Sequence, residues 1–413
     1  MNTVPGTAEP ATGRPRLLVL ASTLPARPGD GTPEFVASLA RVEATAFDTL
    51  VVAPLVPGGR PRDRQDGYDV HRFRFFLRRW EDLADGAILE NLRARPSRWL
   101  QVPFFFAAGA LAVRRAVRTA APDVIHVHWI IPQGLMALLA ARRVPWLVTT
   151  LGGDLYALTS RPARALKRRV LRRASAVTVM NEEMRDLVVG LGVAPSRVSV
   201  LPMGVDFTRV AGRPAAAERA PGRLVFVGRL VEKKGADVLL AALRRLPASV
   251  PWSLDLVGDG PLRGELEETA GSFGDRVVFH GQQSAAELGR MLAHAQVAVF
   301  PSVRARSGDQ DGLPVAMLEA MAAGTAVVAS DLPGLSEAVA GREPAGILVE
   351  PGSVSALATA LERVITEDGL SGRIGRAAAA RAEAYSVDAI GRRYIELLRA
   401  AAAAPSSGAR GSN

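Results

Sequence analysis

The chain has 413 residues, enough for two domains of about 200 residues each, and no cysteine, which excludes disulfides, thiolate metal sites and a thiol nucleophile. Its formal net charge of +10 allows nucleic acid, an anionic membrane face or anionic substrates, yet only Lys167, Lys233 and Lys234 of its 51 basic residues are Lys, an Arg bias that reads more simply as genome composition. Residues 1–15 lack the apolar core of a signal peptide, and the longest apolar stretch, Trp99 to Val113, is too short for a membrane span; a soluble or peripheral cytoplasmic protein is expected.

A first strand-like run, Arg16–Ala21, leads into the loop Leu24–Phe35. Gly29 and Gly31 would let this loop approach a substrate, and Thr32 or Asp30 is expected to cap the first helix. It is not a GxGxxG fingerprint, which argues against a dinucleotide enzyme. Further β-branched runs follow at Thr49–Pro54, Val124–Trp129, Trp146–Thr150 and Ala176–Met180. Between them lie basic, aromatic stretches at Arg72–Trp80, Arg93–Trp99 and Arg161–Arg173. The last has helical spacing and reads equally as a face for an anionic membrane or as a solvated helix. No nucleic-acid-binding motif accompanies the charge.

In Asp123–Trp129, alternation puts His126 and His128 on one face, with His128 nearer the strand's carboxyl end. His126 reads as a core histidine satisfied by a backbone group. His128 reads either that way or as a contact to a sugar or acceptor hydroxyl, and a metal site here lacks further ligands. The next strand ends in Gly152-Gly153-Asp154, where Asp154 suits acceptor binding and N-capping equally.

The polar stretch Val210–Pro221 divides the chain. We expect an N-terminal domain over 1–209, a second over 222–386, a C-terminal helix over 387–403 and a disordered tail over 404–413. Strands are expected at Leu224–Val227, Leu254–Val257, Val277–His280, Val297–Pro301, Ala326–Ala329 and Ile347–Val349. Continuous apolar runs alternating with helical segments imply parallel sheets buried on both faces, a doubly wound α/β architecture present twice. Ligands of such sheets bind outside the carboxyl ends of the strands.

Gly228 closes the first strand of the second half, and Arg229 and Lys234 follow it five residues apart. A planar fork and a compact ammonium suit the two phosphates of a diphosphate. Farther on comes Asp311-Gly312-Leu313-Pro314-Val315, with Glu319 eight residues after Asp311. Pro314 suits the first position of a helix and Gly324 its C′ stop, leaving free N–H groups for an anion. Glu319, among Val315, Met317, Leu318 and Met321, wants hydroxyl partners that a ribose could supply. Asp309-Gln310-Asp311 also reads as Asp-x-Asp, two carboxylates able to hold Mg²⁺.

These two stretches, together with Gly258-Asp-Gly260-Pro261, Val278-Phe-His-Gly281 and Phe300-Pro301-Ser302 in that order, resemble the retaining GT-B glycosyltransferases of the group 1 family, glycosyltransferase family four. The resemblance covers nearly the whole chain. It implies two Rossmann-like domains facing a deep cleft, with the C-terminal helix crossing back to the first domain. It implies transfer of a sugar from a nucleotide-diphosphate donor to a sugar, lipid-linked or small-molecule acceptor, in polysaccharide, glycolipid or glycosylated-metabolite biosynthesis.

By the same resemblance, Arg229 and Lys234 would bind the diphosphate and stabilise it as it leaves. Glu319 would hold the ribose, and Asp311, where the family usually has Glu, would meet donor-sugar hydroxyls. Backbone N–H groups of Gly312, Leu313 and Val315 would meet phosphate and sugar, with Gly228 and Gly258 in the donor loops. His128 would contact the reacting sugar or acceptor. Gly31, Thr32 and Asp154 fall on the acceptor side, with Gly152 where the family often has His. The cationic clamp removes the need for a metal, so no metal or cofactor is expected. Two other readings are a nucleotide-sugar epimerase or hydrolase on the same fold, and a non-enzymatic basic protein of membranes or nucleic acid; nucleic acid is not an expected partner.

Overall fold

A computed structural model describes residues 13–27, 32–86, 88–141, 143–209 and 219–403. The first sheet contains β1 (Arg16–Leu20), β2 (Asp48–Pro54), β3 (Arg62–Gln65), β4 (Tyr68–Phe73), β5 (Val124–His128), β6 (Trp146–Thr149), β7 (Ala176–Val179) and β8 (Val198–Val200). They lie in the order β3-β4-β2-β1-β5-β6-β7-β8, parallel throughout except for β3 against β4. The second sheet contains β9 (Ala220–Val227), β10 (Ser253–Val257), β11 (Val277–Gly281), β12 (Ala295–Phe300), β13 (Ala326–Ser330) and β14 (Ile347–Val349). Its order is β11-β10-β9-β12-β13-β14, a doubly wound arrangement whose strand order reverses between β9 and β12.

The fold is therefore α/β with two Rossmann-like units. Strands β3, β4 and β8 lie outside the runs that the sequence marks. The β3–β4 hairpin turns at Asp66 and Gly67, with φ of 38° and 93°. An Asp-Gly pair favours such a turn, but β3 is the polar edge sequence RDRQ and carries no apolar alternation.

Helices of the first unit are α1 (Phe35–Glu43), α2 (Ile88–Ala94), α3 (Val102–Ala120), α4 (Leu135–Ala140), α5 (Gly153–Tyr156), α6 (Arg161–Arg173) and α7 (Glu182–Gly190). In the second half lie α8 (Ala236–Leu243), α9 (Arg263–Ala270), α10 (Ala285–His294), α11 (Val315–Ala322), α12 (Pro333–Val339), α13 (Val354–Thr366), α14 (Leu370–Ala382) and α15 (Val387–Ala403). The crossovers through α3, α4 and α6 all advance the same way across the first sheet, so right-handedness puts these helices on one face. The crossover through α1 advances the other way and covers the opposite face.

Helix α15 crosses back to the first unit and packs on α1, β5 and β6. Val205 N donates to Tyr385 O at 2.9 Å and Val387 N to Val205 O at 2.9 Å, so the two passages between units run side by side. Gly391 meets α1 so closely that a Cβ there would lie 2.5 Å from Val42 Cγ1. Tyr394, fully buried, donates its hydroxyl to Leu201 O at 3.0 Å and stacks on the His126 ring at 5.3 Å.

Helix α1 starts with Glu34 at its N-cap, whose side chain makes no capping bond; Thr32 stands two residues ahead of it, and Asp30, Gly29 and Gly31 lie outside the described residues. Two local expectations need correction. Arg72 belongs to β4, not to an exposed patch: it is buried and donates to Leu24 O at 3.3 Å and to Pro25 O. Lys167 is likewise turned inward from α6, donating to Leu155 O at 2.8 Å and to Ala157 O. Both cations saturate buried carbonyls, which burial of a charge requires.

Candidate active site

The topology places loops at the carboxyl ends of β9 and β12, and a cluster of two lysines and two aspartates lies between them. Lys234 ends a short 3-10 turn before Gly235, whose φ of 65° opens α8. Its Nζ donates to Asp311 Oδ2 at 2.9 Å. Ser302 Oγ, just beyond β12, donates to the same oxygen at 2.7 Å. Lys233 Nζ lies 3.0 Å from Asp309 Oδ2 and 3.9 Å from Asp311 Oδ1. Burial alone would raise the Asp311 carboxyl, but the charges of Lys234 and Lys233 and the hydrogen bonds from Lys234 and Ser302 hold it below the usual range. Both acids of the Asp-x-Asp sequence thus face ammonium groups.

Backbone packing fits the lysine into place. A Cβ on Gly228 would come 3.4 Å from Lys234 Cδ, and one on Gly258, at φ 132°, would fall 2.0 Å from Gly228 O. Arg229 stands exposed at the end of β9, and Glu319 is half-buried in α11. Pro314 occupies the N-cap of α11, one residue ahead of the expected first helical position, and Val315 begins the helix. Leu313 is half-buried beside it. Gly324 follows the C-cap at φ 71°, as the sequence suggests.

Gly312 marks where the two units meet. Its carbonyl accepts from Asn181 Nδ2 at 3.3 Å, and its N lies 3.6 Å from where a Cβ on Gly152 would stand. Gly152 has φ 101°. Beside this contact, Glu183 accepts from Tyr156 at 2.8 Å, from Arg304 at 3.0 Å and from Gln310. Sequence reasoning passed over Asn181 and Glu183, and named Ser302 only within the Phe300-Pro301-Ser302 block, without a role. Asn181 carried one local signal, as an N-cap whose side chain accepts from Met184 N at 2.8 Å.

In the first unit, Asp154 is a brace. Its Oδ2 accepts from Ile130 N at 2.7 Å and its Oδ1 from Leu151 N at 3.1 Å, tying the loop after β5 to the loop after β6. The N-cap of α5 is Gly152, so Asp154 does not cap that turn. Burial pushes its carboxyl up despite those bonds. Thr32 is half-buried ahead of α1.

His126 is satisfied by side chains, not by backbone: Nδ1 lies 2.6 Å from Glu43 Oε1 and Nε2 2.8 Å from Thr149 Oγ1. Burial lowers it to about 3 and raises Glu43 well above its ordinary value. His128 is fully buried, and neither ring nitrogen has a protein partner. Burial, then the neighbouring His126, keeps it neutral. Beyond it Trp129 turns the chain with φ 71°.

Two parallel doubly wound units, a C-terminal helix crossing back and a cationic site at the second unit's switch point define the GT-B class. The sequence profile "Glycosyl transferases group 1" matches residues 221–367, and "Glycosyl transferase 4-like domain" matches residues 31–204. The chain belongs to the group 1 glycosyltransferases. It is 33% identical over 236 residues to a Salmonella typhimurium protein named as a colanic acid biosynthesis glycosyltransferase, WcaL, covering 56% of this chain and 58% of that one. The chain spans little more than half the length of the first curated relatives it matches. Among solved structures it is similar to sucrose-phosphate synthase from Thermosynechococcus elongatus, with TM-score 0.73, 22% identity and coverage of 94% and 99%. It is also similar to Anabaena HepE in complex with UDP and glucose, with TM-score 0.70, 18% identity and coverage of 94% and 100%.

Proposed function

We propose that the chain moves a sugar from a nucleotide diphosphate to an acceptor hydroxyl with retention of configuration. The observation that carries this reading is Lys234, fixed by Asp311 at the switch point between β9 and β12. In this reading Arg229 and Lys234 neutralise the diphosphate as the bond from the sugar's anomeric carbon to phosphate oxygen breaks. Glu319 takes the ribose hydroxyls, and N–H groups of Gly312, Leu313 and Val315 meet phosphate and sugar. Asp311 acts first as a positioning residue for Lys234, since its Oδ2 accepts from both Lys234 and Ser302.

The acceptor oxygen bonds to the anomeric carbon on the face the diphosphate leaves, and its proton passes to a phosphate oxygen. No strong protein base is then needed. Asp311 is a poor base while Lys234 holds it, and His128 is neutral. The unpartnered nitrogens of His128 suit a sugar or acceptor hydroxyl. The ammonium groups facing Asp309 and Asp311 supply charge that a metal would otherwise bring, so turnover without a metal is proposed. Similarity to a relative named for colanic acid biosynthesis supports a sugar or lipid-linked acceptor in polysaccharide or glycolipid assembly, and the HepE complex with UDP and glucose supports a nucleotide-sugar donor.

Lys234→Ala and Glu319→Ala should each abolish transfer while the protein stays folded; unchanged rates in both would overturn the reading. Incubating donor without acceptor separates it from epimerisation or hydrolysis, which alone would consume the donor rapidly.

A further inference from the structure

The positive charge is not spread along the chain. Residues 91–181 hold fifteen Arg and Lys against two acids, Asp123 and Asp154, while the other residues hold 36 basic and 39 acidic groups. A uniform compositional bias would not leave the remainder net acidic. The fold gathers this segment: it supplies α3, α4 and α6, which lie side by side on one face of the first sheet. On α6, Arg161, Arg164, Arg168, Arg169 and Arg172 are exposed, and among the described residues no carboxylate pairs with them. Helix α3 adds exposed Arg114, Arg115 and Arg118. Neither acid offsets them locally: Asp154 is buried, and Asp123 accepts from Arg16 N at 2.7 Å.

An apolar edge adjoins this face. At the carboxyl end of the sheet, the chain between β4 and α3 and the first turn of α3 present Leu77, Trp80, Trp99, Leu100 and Phe104, each 56% to 71% exposed. Arg78 and Arg79 stand exposed among them. Their neighbours Phe75 and Phe105 turn inward and meet edge-to-face at 5.0 Å, so the outward rings are not leftovers of a poor core. The helical stretch Pro96–Ala120 runs longer than the apolar sequence Trp99–Val113, and an 18-residue window within it reaches a mean hydropathy of 1.3, enough to cross a membrane by length and composition alone. It does not stand free, because Phe105, Gly109, Val113 and Ala116 are buried and it packs on β1 and β2. Such a helix can lie on a bilayer without crossing it.

We propose that this face docks the first unit on an anionic lipid bilayer. The aromatic and leucine edge enters the interface, and the guanidinium groups of α3 and α6 meet headgroup phosphates. A nucleic acid would satisfy the arginines but leave Leu77, Leu100 and Leu111 in water. The edge stands at the strand ends that face the cleft, so docking brings the acceptor side to the membrane surface. The proposal does not depend on the chemistry of transfer.

The test is co-sedimentation of the full chain with phosphatidylcholine vesicles and with vesicles containing phosphatidylglycerol. Two variants accompany it, Trp80→Ser/Trp99→Ser and Arg164→Glu/Arg168→Glu/Arg169→Glu, all at exposed positions and each checked for an unchanged thermal midpoint. Binding should require phosphatidylglycerol and fall on the order of 100-fold in the charge variant and about tenfold in the tryptophan variant. No more binding to anionic than to neutral vesicles overturns the proposal. So does tight binding to an RNA homopolymer with vesicles left unbound.

Discussion

Lys234 Nζ and Asp311 Oδ2 lie 2.9 Å apart although 77 residues separate them in sequence. The pair joins the loop after β9 to the loop before α11, and Ser302 closes the third side. A lysine held this way cannot swing into solvent, so its charge is preorganised, as the proposed diphosphate site requires.

Asp311→Asn should leave Lys234 in place but unanchored and should lower kcat by roughly 10- to 100-fold, with a smaller change in donor KM. Asp311→Ala should cost more, because Ser302 and Lys234 both lose their acceptor. Steady-state release of nucleoside diphosphate measures both. Equal kcat in all three proteins would remove Asp311 from the machinery.

Burial lowers His126 from 6.5 to about 3, so the unfolded chain takes up this proton first as pH falls. The stability that neutral His126 contributes is complete above pH 6.5 and declines as pH drops from there toward 3. Glu43, kept protonated by burial, acts with the opposite sign above its ordinary value of 4.5. Replacing His126 with Gln should therefore reduce the slope of unfolding free energy against pH below 6.5 by about 1.4 kcal/mol per pH unit. Urea unfolding at several pH values reads this directly; an unaltered slope would contradict it.

Tyr394→Phe deletes the hydroxyl that α15 sends to Leu201 O and that approaches Thr178 Oγ1 at 3.4 Å. The cost should be about 1–3 kcal/mol, since a buried carbonyl loses its donor. Transfer kinetics measured well below the melting temperature should stay within about twofold, because no part of the donor clamp is touched. A variant with normal stability would mean that the crossing helix is not held at this point.

Asp154→Asn replaces one of two accepting oxygens with a donor facing Ile130 N or Leu151 N. The loops after β5 and β6 should then separate, weakening kcat/KM by roughly tenfold with the donor's own affinity preserved. Donor titration alongside kinetics distinguishes this from a general loss of fold.

Much of the second half was legible because its signals are local. Strand ends, glycines and charges lie within a few residues of one another around Gly228–Gly235 and Asp311–Glu319. The contacts that complete the site are not local: Asn181 reaches Gly312 across 131 residues, and Tyr394 reaches Leu201 across 193. No periodicity encodes such pairings. Arg72 and Lys167 were misread for a related reason, since the carbonyls that satisfy them, of Leu24 and Pro25 and of Leu155 and Ala157, become neighbours only in the folded chain. The Asp-Gly turn between β3 and β4 was available in the sequence, but its polar first strand hid the hairpin.

The central claim is that the loop after β9 and the start of α11 form a diphosphate site clamped by Lys234. Calorimetric titration of UDP, GDP and ADP into the parent protein and into Lys234→Ala tests it most directly. At least one nucleotide should bind the parent at a single site per chain, with affinity at least about tenfold weaker in the variant. Equal affinity in both proteins, or no binding of any of the three to the parent, would contradict the account.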